Sequence, residues 1–435
     1  MATNRTDTSS GARRRTSLFL LPAALASCVA LAAAGASGDR PYETSGTVAR
    51  VKPTQRPAVE AAFPRESYRP GQVARLVLFS AARRVTMQVF RAGTEPTRIA
   101  ARDEMRGTTV SRLRRLGAVR RGNSVWLRVG DWPSGLYFVR LRAAGGKVGH
   151  APFVVRPRRL GEAHVAVVLP TLTWQAYNFR DDDGDGDGDT WYADQTHKTA
   201  RIGRPYENRG VPPHYKYYDQ PFLRWLFRTE RRVDYLAQAD LEATNGRALA
   251  RAYRLLVFPG HHEYVTRREY DAVERFRDLG GNLMFLSANN FYWRVDRRGS
   301  AIARVRHWRE LGRPEAALIG VQYIGNDDGA RRGPWIVRDV SEPWLFSGLD
   351  VRRGARFANG GIEIDKTAPS SPAGTKVLAE IPNLLGPGMT GQMTYYETAR
   401  GAKVFAAGAF TLAGAVWWPE VKRLLENLWA RLERP

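Results

Sequence analysis

Two kinds of oxygen donor crowd into residues 173–194, TWQAYNFRDDDGDGDGDTWYAD. One is the phenol of Tyr177, next to the carboxamide of Asn178. The other is a run of aspartates alternating with glycines, in a chain of formal net charge +24. A calcium loop of the EF-hand type takes oxygen ligands at positions 1, 3, 5, 7, 9 and 12, with glycine at 6. Counting from Asp183, Asp185 falls at the third position, Asp187 at the fifth and Gly188 at the sixth. Asp189 then occupies the seventh, through its carbonyl, and Asp194 the twelfth. Aspartate there is shorter than the usual glutamate. Counting from Asp181 puts Tyr192 at the twelfth position, a poorer register. The bland alternative is a solvated acidic turn. The expectation is a structural calcium ion that neutralises crowded carboxylates and pins the loop after Tyr177.

Further candidates sit where continuous apolar runs end. HVAVVLP (164–170) leads to Thr173–Asn178, RLLVFPG (254–260) to His261, His262, Glu263 and Tyr264, and GNLMFLSAN (281–289) to Asn289 and Asn290. KVFAAGAF (403–410) is a fourth run. Runs apolar at every position suit strands buried on both faces. Helical patterns lie between them: QPFLRWLFRTE, RREYDAVERFRDLG with its glycine stop, and WPEVKRLLENLWARLER. This grammar predicts a doubly wound α/β domain over residues 160–435, with a mostly parallel sheet of amidotransferase-like or Rossmann-like type. Such sheets bind ligands beyond the carboxyl ends of their strands. One tyrosine after a strand is usually packing. Phenol, imidazole, carboxylate and carboxamide at three strand ends point to a site on that rim. Before this domain, residues 61–157 alternate apolar and polar with Gly/Pro turns, which predicts an all-β immunoglobulin-like sandwich.

WQAYN (174–178), RPY (204–206), GHHEY (260–264), GGNLMFLSANNFYWR (280–294) and GIEID (361–365) occur in that order. The series resembles the N,N-dimethylformamidase large (beta) subunit family, over about residues 165–415. The resemblance implies an amidohydrolase with one iron ion held by two tyrosinates and a glutamate. Carried over, the first tyrosine is Tyr177 and the carboxylate is Glu263. The second tyrosine is Tyr206, with Tyr218 of HYKYYD as the alternative. His261, Asn289 and Glu363 are the matching neighbours. Phenolates and a carboxylate are hard anionic donors that suit ferric iron. The metal would acidify a water and polarise an amide carbonyl. His261 and Asn289 would donate to the developing oxyanion, and Glu363 would take the water's proton. The resemblance also implies a small amide-containing substrate and a small second subunit. The acidic stretch is a departure from the family pattern.

At the N-terminus, Arg13, Arg14 and Arg15 precede an apolar run, Leu18 to Ala36, and the small residues after it. Residues 1–38 are expected to be an export signal. Cleavage near Ala36, retention as a membrane anchor, and lipidation of Cys28 in a lipobox-like Leu25-Ala26-Ser27-Cys28 all remain open. Residues 39–60 read as a linker. Cys28 is the only cysteine, so the folded part has no disulfide and no thiol nucleophile. No G-x-S-x-G, H-E-x-x-H, P-loop or dinucleotide fingerprint occurs. The basic excess is mostly arginine, without a dense stripe or a nucleic-acid motif, so specific nucleic-acid binding is not expected. The rival to an exported hydrolase is a non-catalytic envelope module that binds a polymer or partner. An amidotransferase-like fold without its nucleophile is a variant of that rival.

Overall fold

The computed structural model describes residues 58–193, 196–327 and 329–434. The expected export signal with Cys28, most of the expected linker, and Asp194 lie outside these residues.

Residues 61–155 form two sheets around one core. A three-stranded antiparallel sheet joins Ala61–Ala62, Val73–Leu78 and Ser124–Arg128. A six-stranded sheet runs Ser67–Tyr68, Val148–Val155, Gly135–Arg142, Ala82–Ala92 and Gly107–Thr109, with Arg114–Val119 also paired to Ala82–Ala92. Side chains alternate along a strand with a period of two, and Gly135–Arg142 uses both of its faces. Tyr137, Val139 and Leu141 pack with Ala74, Leu76 and Leu78 of the smaller sheet. Leu136 and Phe138 point the other way and join Val165, Val167 and Trp225 of the following sheet. The six-stranded sheet is therefore an inner layer.

The largest sheet has nine strands, in the order Asp234–Ala237, Val165–Leu169, Leu255–Phe258, Asn282–Phe285, Lys403–Ala406, Gly391–Glu397, Lys376–Ile381, Arg332–Val337 and Arg356–Gly361. The first five are mutually parallel and the rest antiparallel. This corrects the expected doubly wound α/β domain behind an immunoglobulin-like sandwich. Among the described residues strand outweighs helix, 33% against 20%, in several mixed sheets. The four apolar runs do form adjacent parallel strands. Between residues 286 and 402, however, the chain builds antiparallel strands rather than strand–helix units. Those segments are half-polar, as one-sided strands are, and the apolar runs say nothing of them. The N-terminal part departs from a free-standing sandwich as well, because its larger sheet is covered on both faces and its Ser67–Tyr68 edge is parallel.

This topology positions the rim. Val165–Leu169, Leu255–Phe258, Asn282–Phe285 and Lys403–Ala406 are consecutive neighbours and point the same way. The segments that leave them carry Tyr177, His261 to Tyr264, Asn289 and Phe410. Tyr264–Val265 pairs in parallel with Trp293–Arg298. Helix Arg267–Asp278 begins one residue later with a reciprocal cap, in which Thr266 Oγ1 accepts from Glu269 N and Thr266 N donates to Glu269. Replacing Thr266 by alanine removes that cap and is expected to cost about 1 kcal/mol in denaturant unfolding, with the strands unchanged by circular dichroism.

Candidate functional site

Glu263 is the centre of the site. Helix Thr171–Ala176 ends at Tyr177, whose hydroxyl donates to Glu263 Oε2 at 2.5 Å. The Tyr192 hydroxyl lies 2.9 Å from Oε2, 3.2 Å from Oε1 and 2.6 Å from the Tyr177 oxygen. It also hydrogen-bonds the Tyr264 hydroxyl, which accepts from Trp191 Nε1 at 3.1 Å. The Tyr177 and Tyr192 rings stack with centroids 4.4 Å apart. Glu263 is buried. Burial pushes its carboxyl above the ordinary range, and hydrogen bonds from Tyr177, Tyr192 and Tyr264 pull it back.

His261 stands between two carboxyls. Its Nε2 is 3.7 Å from Glu263 Oε2 and 3.3 Å from Glu363 Oε2. Glu363 is completely buried, and neither of its oxygens has a hydrogen-bond partner among the described residues. Burial, with His214 and His262 nearby, drives the His261 imidazole well below its usual value. It is a neutral ring facing two acids. Glu363 follows Ile362, a β-branched residue held at φ +75°, a conformation such residues rarely adopt. Asn289 also has positive φ, +54°. Its N–H donates to Asp365 Oδ1 at 2.9 Å, while its buried Oδ1 has no partner among the described residues. Asp365 is pushed up to about 7 by burial.

Tyr177 and His261 line a small cavity of about 10 Å³ with Trp174, His214, Tyr218 and Asp219. His214, at φ +61°, opens a π-helical turn, Tyr215–Asp219, of the kind often found at functional sites. Its ring lies 5.8 Å from that of Tyr177 and 5.6 Å from that of Tyr218. Phe410 packs on His261 and on Tyr218. Asp219 Oδ2 accepts from Trp174 Nε1 at 3.1 Å, and burial pushes this carboxyl up to about 7.

The structure thus gathers Tyr177, Glu263, His261 and Glu363, with Asn289 beside them through Asp365. Tyr218 shares their cavity. Tyr206 does not: it lines a separate cavity of about 40 Å³ with Phe63, Glu66 and Gln175, and burial raises its phenol far above the ordinary value. The sequence reading missed Tyr192, His214 and Asp219, and placed Tyr264 at a strand end without a role. Tyr264 adjoins Glu263 in GHHEY, but strand alternation gave no reason to fold its hydroxyl back. Tyr192 lies beyond the aspartates, where only tertiary folding returns it to Glu263.

The acidic loop follows another pattern than the EF-hand register. Carboxylate oxygens of Asp181, Asp183 and Asp189 come within 4.8 Å of one another. Asp181 accepts from Gly184 N and Gly186 N. Asp183 and Asp185 each accept from a backbone N–H two residues on. Arg204, fully buried, donates to the carbonyls of Asn178, Arg180 and Asp189 and ties both ends of the loop together.

A family model described as N,N-dimethylformamidase beta subunit-like, C-terminal, matches residues 123–417. Two curated relatives are the N,N-dimethylformamidase beta subunits of Alcaligenes sp and Paracoccus aminophilus. Each is 24% identical, over 275 and 273 residues, which is 48% of this chain. The chain spans 36% of the length of each of these relatives. Among solved structures, the sporulation control protein Spo0M from Bacillus subtilis aligns with 22% of this chain and 48% of its own, at 17% identity and a TM-score of 0.16. That is too slight a likeness to carry an argument.

Asp219, Glu263 and Asp365 all have carboxyls raised above the ordinary range. The folded state therefore holds more protons than the unfolded chain from about pH 4 to about pH 7, and stability falls as pH rises through that window. In metal-stripped protein, Tm is expected to drop across this range. Asp365→Asn should flatten the drop, which differential scanning calorimetry at several pH values would show.

Proposed function

We propose a function for this chain, which belongs to the N,N-dimethylformamidase beta subunit-like, C-terminal family: it is an exported hydrolase that cleaves an amide C–N bond. The observation that carries the reading is the convergence of the Tyr177 and Tyr192 hydroxyls on the buried carboxylate of Glu263, with His261 standing between it and Glu363. Among the described residues, no arginine or lysine forms an ion pair with Glu263 or Glu363. Phenols and a carboxylate gathered in a buried place without a paired cation fit a hard trivalent ion. Tyr177 and Glu263 would hold ferric iron, with a further phenolate from Tyr192 or Tyr218. When bound, the ion supplies Lewis acidity toward a carbonyl and toward water.

The chain's own residues do the rest. Glu363 accepts the proton of the attacking water. Glu363 then returns that proton to the leaving nitrogen, beside neutral His261, whose Nε2 lies 3.3 Å from Glu363 Oε2. Asn289 offers its carboxamide to the carbonyl oxygen, on a backbone anchored by Asp365. Burial of the pocket excludes bulk water and strengthens each of these interactions. A small amide is the substrate, and a small second subunit is the partner. The beta-subunit names of the relatives support that partner. Asp181, Asp183 and Asp189 would hold calcium at the acidic loop, where it would offset their mutual repulsion. No helix among the described residues is long and apolar enough to cross a membrane.

The full chain, purified without chelator, should contain about one iron per chain and show a visible phenolate-to-iron absorption band. Tyr177→Phe or Glu263→Gln should remove both. Colourless protein that takes up no iron on ferrous or ferric reconstitution would overturn the hydrolase reading. After chelation, added calcium should raise Tm by about 2–4 °C. Asp181→Asn should abolish that gain, and an equal gain in the variant would place the ion elsewhere.

A further inference from the structure

Asp219 stands in the wall of the pocket and has no part in the proton path described above. Its carboxyl is fixed on one side, where Trp174 Nε1 holds Oδ2 at 3.1 Å. The other oxygen lies over Gly260. A Cβ at residue 260 would stand 2.7 Å from Oδ1, so the absence of a side chain there leaves Oδ1 its place. Asp219 is 2% exposed, and Oδ1 has no hydrogen-bond partner among the described residues. The same cavity carries the rings of Tyr177, His214, Tyr218 and His261. An acceptor oxygen is fixed in a ring-walled cavity next to the catalytic cluster, with no donor from the described residues. Buried polar atoms in native proteins are rarely left so, and each calls for an explanation.

Resting on the amide-hydrolase reading, we propose that Asp219 Oδ1 accepts the N–H of the bound amide. This chain is thereby selective for primary and secondary amides over N,N-disubstituted ones. The physical reason is an asymmetry. An amide with an N–H satisfies Oδ1. A dialkyl amide puts a methyl group against it and seals the oxygen away from water with no donor at all. Sites built to hydrogen-bond a substrate group reject analogues that lack the group far more strongly than apolar pockets reject an extra methyl. The rings of Tyr177, His214, Tyr218 and His261 face the nitrogen substituent.

The test reads binding without turnover. The full chain, isotope-labelled at tryptophan nitrogen, is titrated with N-methylacetamide and with N,N-dimethylacetamide, following the indole N–H signal of Trp174. The expected result is tighter binding of N-methylacetamide by about 10- to 100-fold. In Asp219→Asn the Trp174 N–H takes the carboxamide oxygen and an NH₂ group replaces the acceptor, so the preference should vanish. Gly260→Ala, which displaces Oδ1 without altering its chemistry, should weaken the preference too and serves if Asp219→Asn does not fold. Equal binding of the two amides by the unaltered chain would overturn the proposal while leaving the hydrolase reading intact. So would a preference that survives in both variants. Failure of both amides to bind would remove the amide-hydrolase reading, and this proposal with it.

Discussion

A buried carboxylate with no cationic partner is unfavourable unless something else satisfies it. Glu263 is such a group. It is offset by phenols: Tyr177 and Tyr192 both reach its oxygens, and Tyr264 supports Tyr192 from behind. Hydrogen bonds to a charged group are worth roughly 1.5–3 kcal/mol each, and the stacking of two of these rings keeps their hydroxyls side by side. The rest of the site is arranged around this balance. His261 cannot comfortably carry a charge there, so it remains a neutral link to a second buried acid, Glu363.

What holds the cluster in register is strand order. Four parallel strands lie side by side, and each sends its next residues over the same edge. The loops then lock to one another. His262 N donates to Asn290 Oδ1 and Phe291 N to His262 O, which ties the second loop to the third. Phe410 N donates to Glu363 O, which brings the antiparallel region back to the fourth. Strained backbone at Asn289 and Ile362 persists because these contacts over-determine it.

The acidic loop belongs to the same construction. Arg204 reaches from the segment after the loop to carbonyls on both of its arms. The loop so held delivers Trp191 and Tyr192 back to Tyr264 and Glu263. The aspartates are thus a device for returning one tyrosine to the site, with or without an ion. In a chain of such positive charge, a local run of carboxylates also gives Arg180 and Arg204 partners close at hand.

Some of this was legible in the residues alone. Continuous apolar runs mark strands buried on both faces, because burial is a local demand that each residue either meets or does not. Their ends carry the functional groups for the same reason, since a chain leaving a buried sheet must change composition. Tyr177, His261, Glu263, Asn289 and Glu363 were found this way or through short ordered motifs. The sequence could not determine which strands become neighbours, or that half of the large sheet is antiparallel, because pairing partners lie as far apart as Leu283 and Val404 and leave no periodic trace. It could not choose between Tyr206 and Tyr218 either. Tyrosine is equally at ease in a wall, a core or a site, and only the course of the chain through His214 and the π-helical turn decides which one shares a cavity with Tyr177. The same holds for Tyr192 and Asp219. Their chemistry is ordinary in sequence and becomes particular only when tertiary packing removes water from around them.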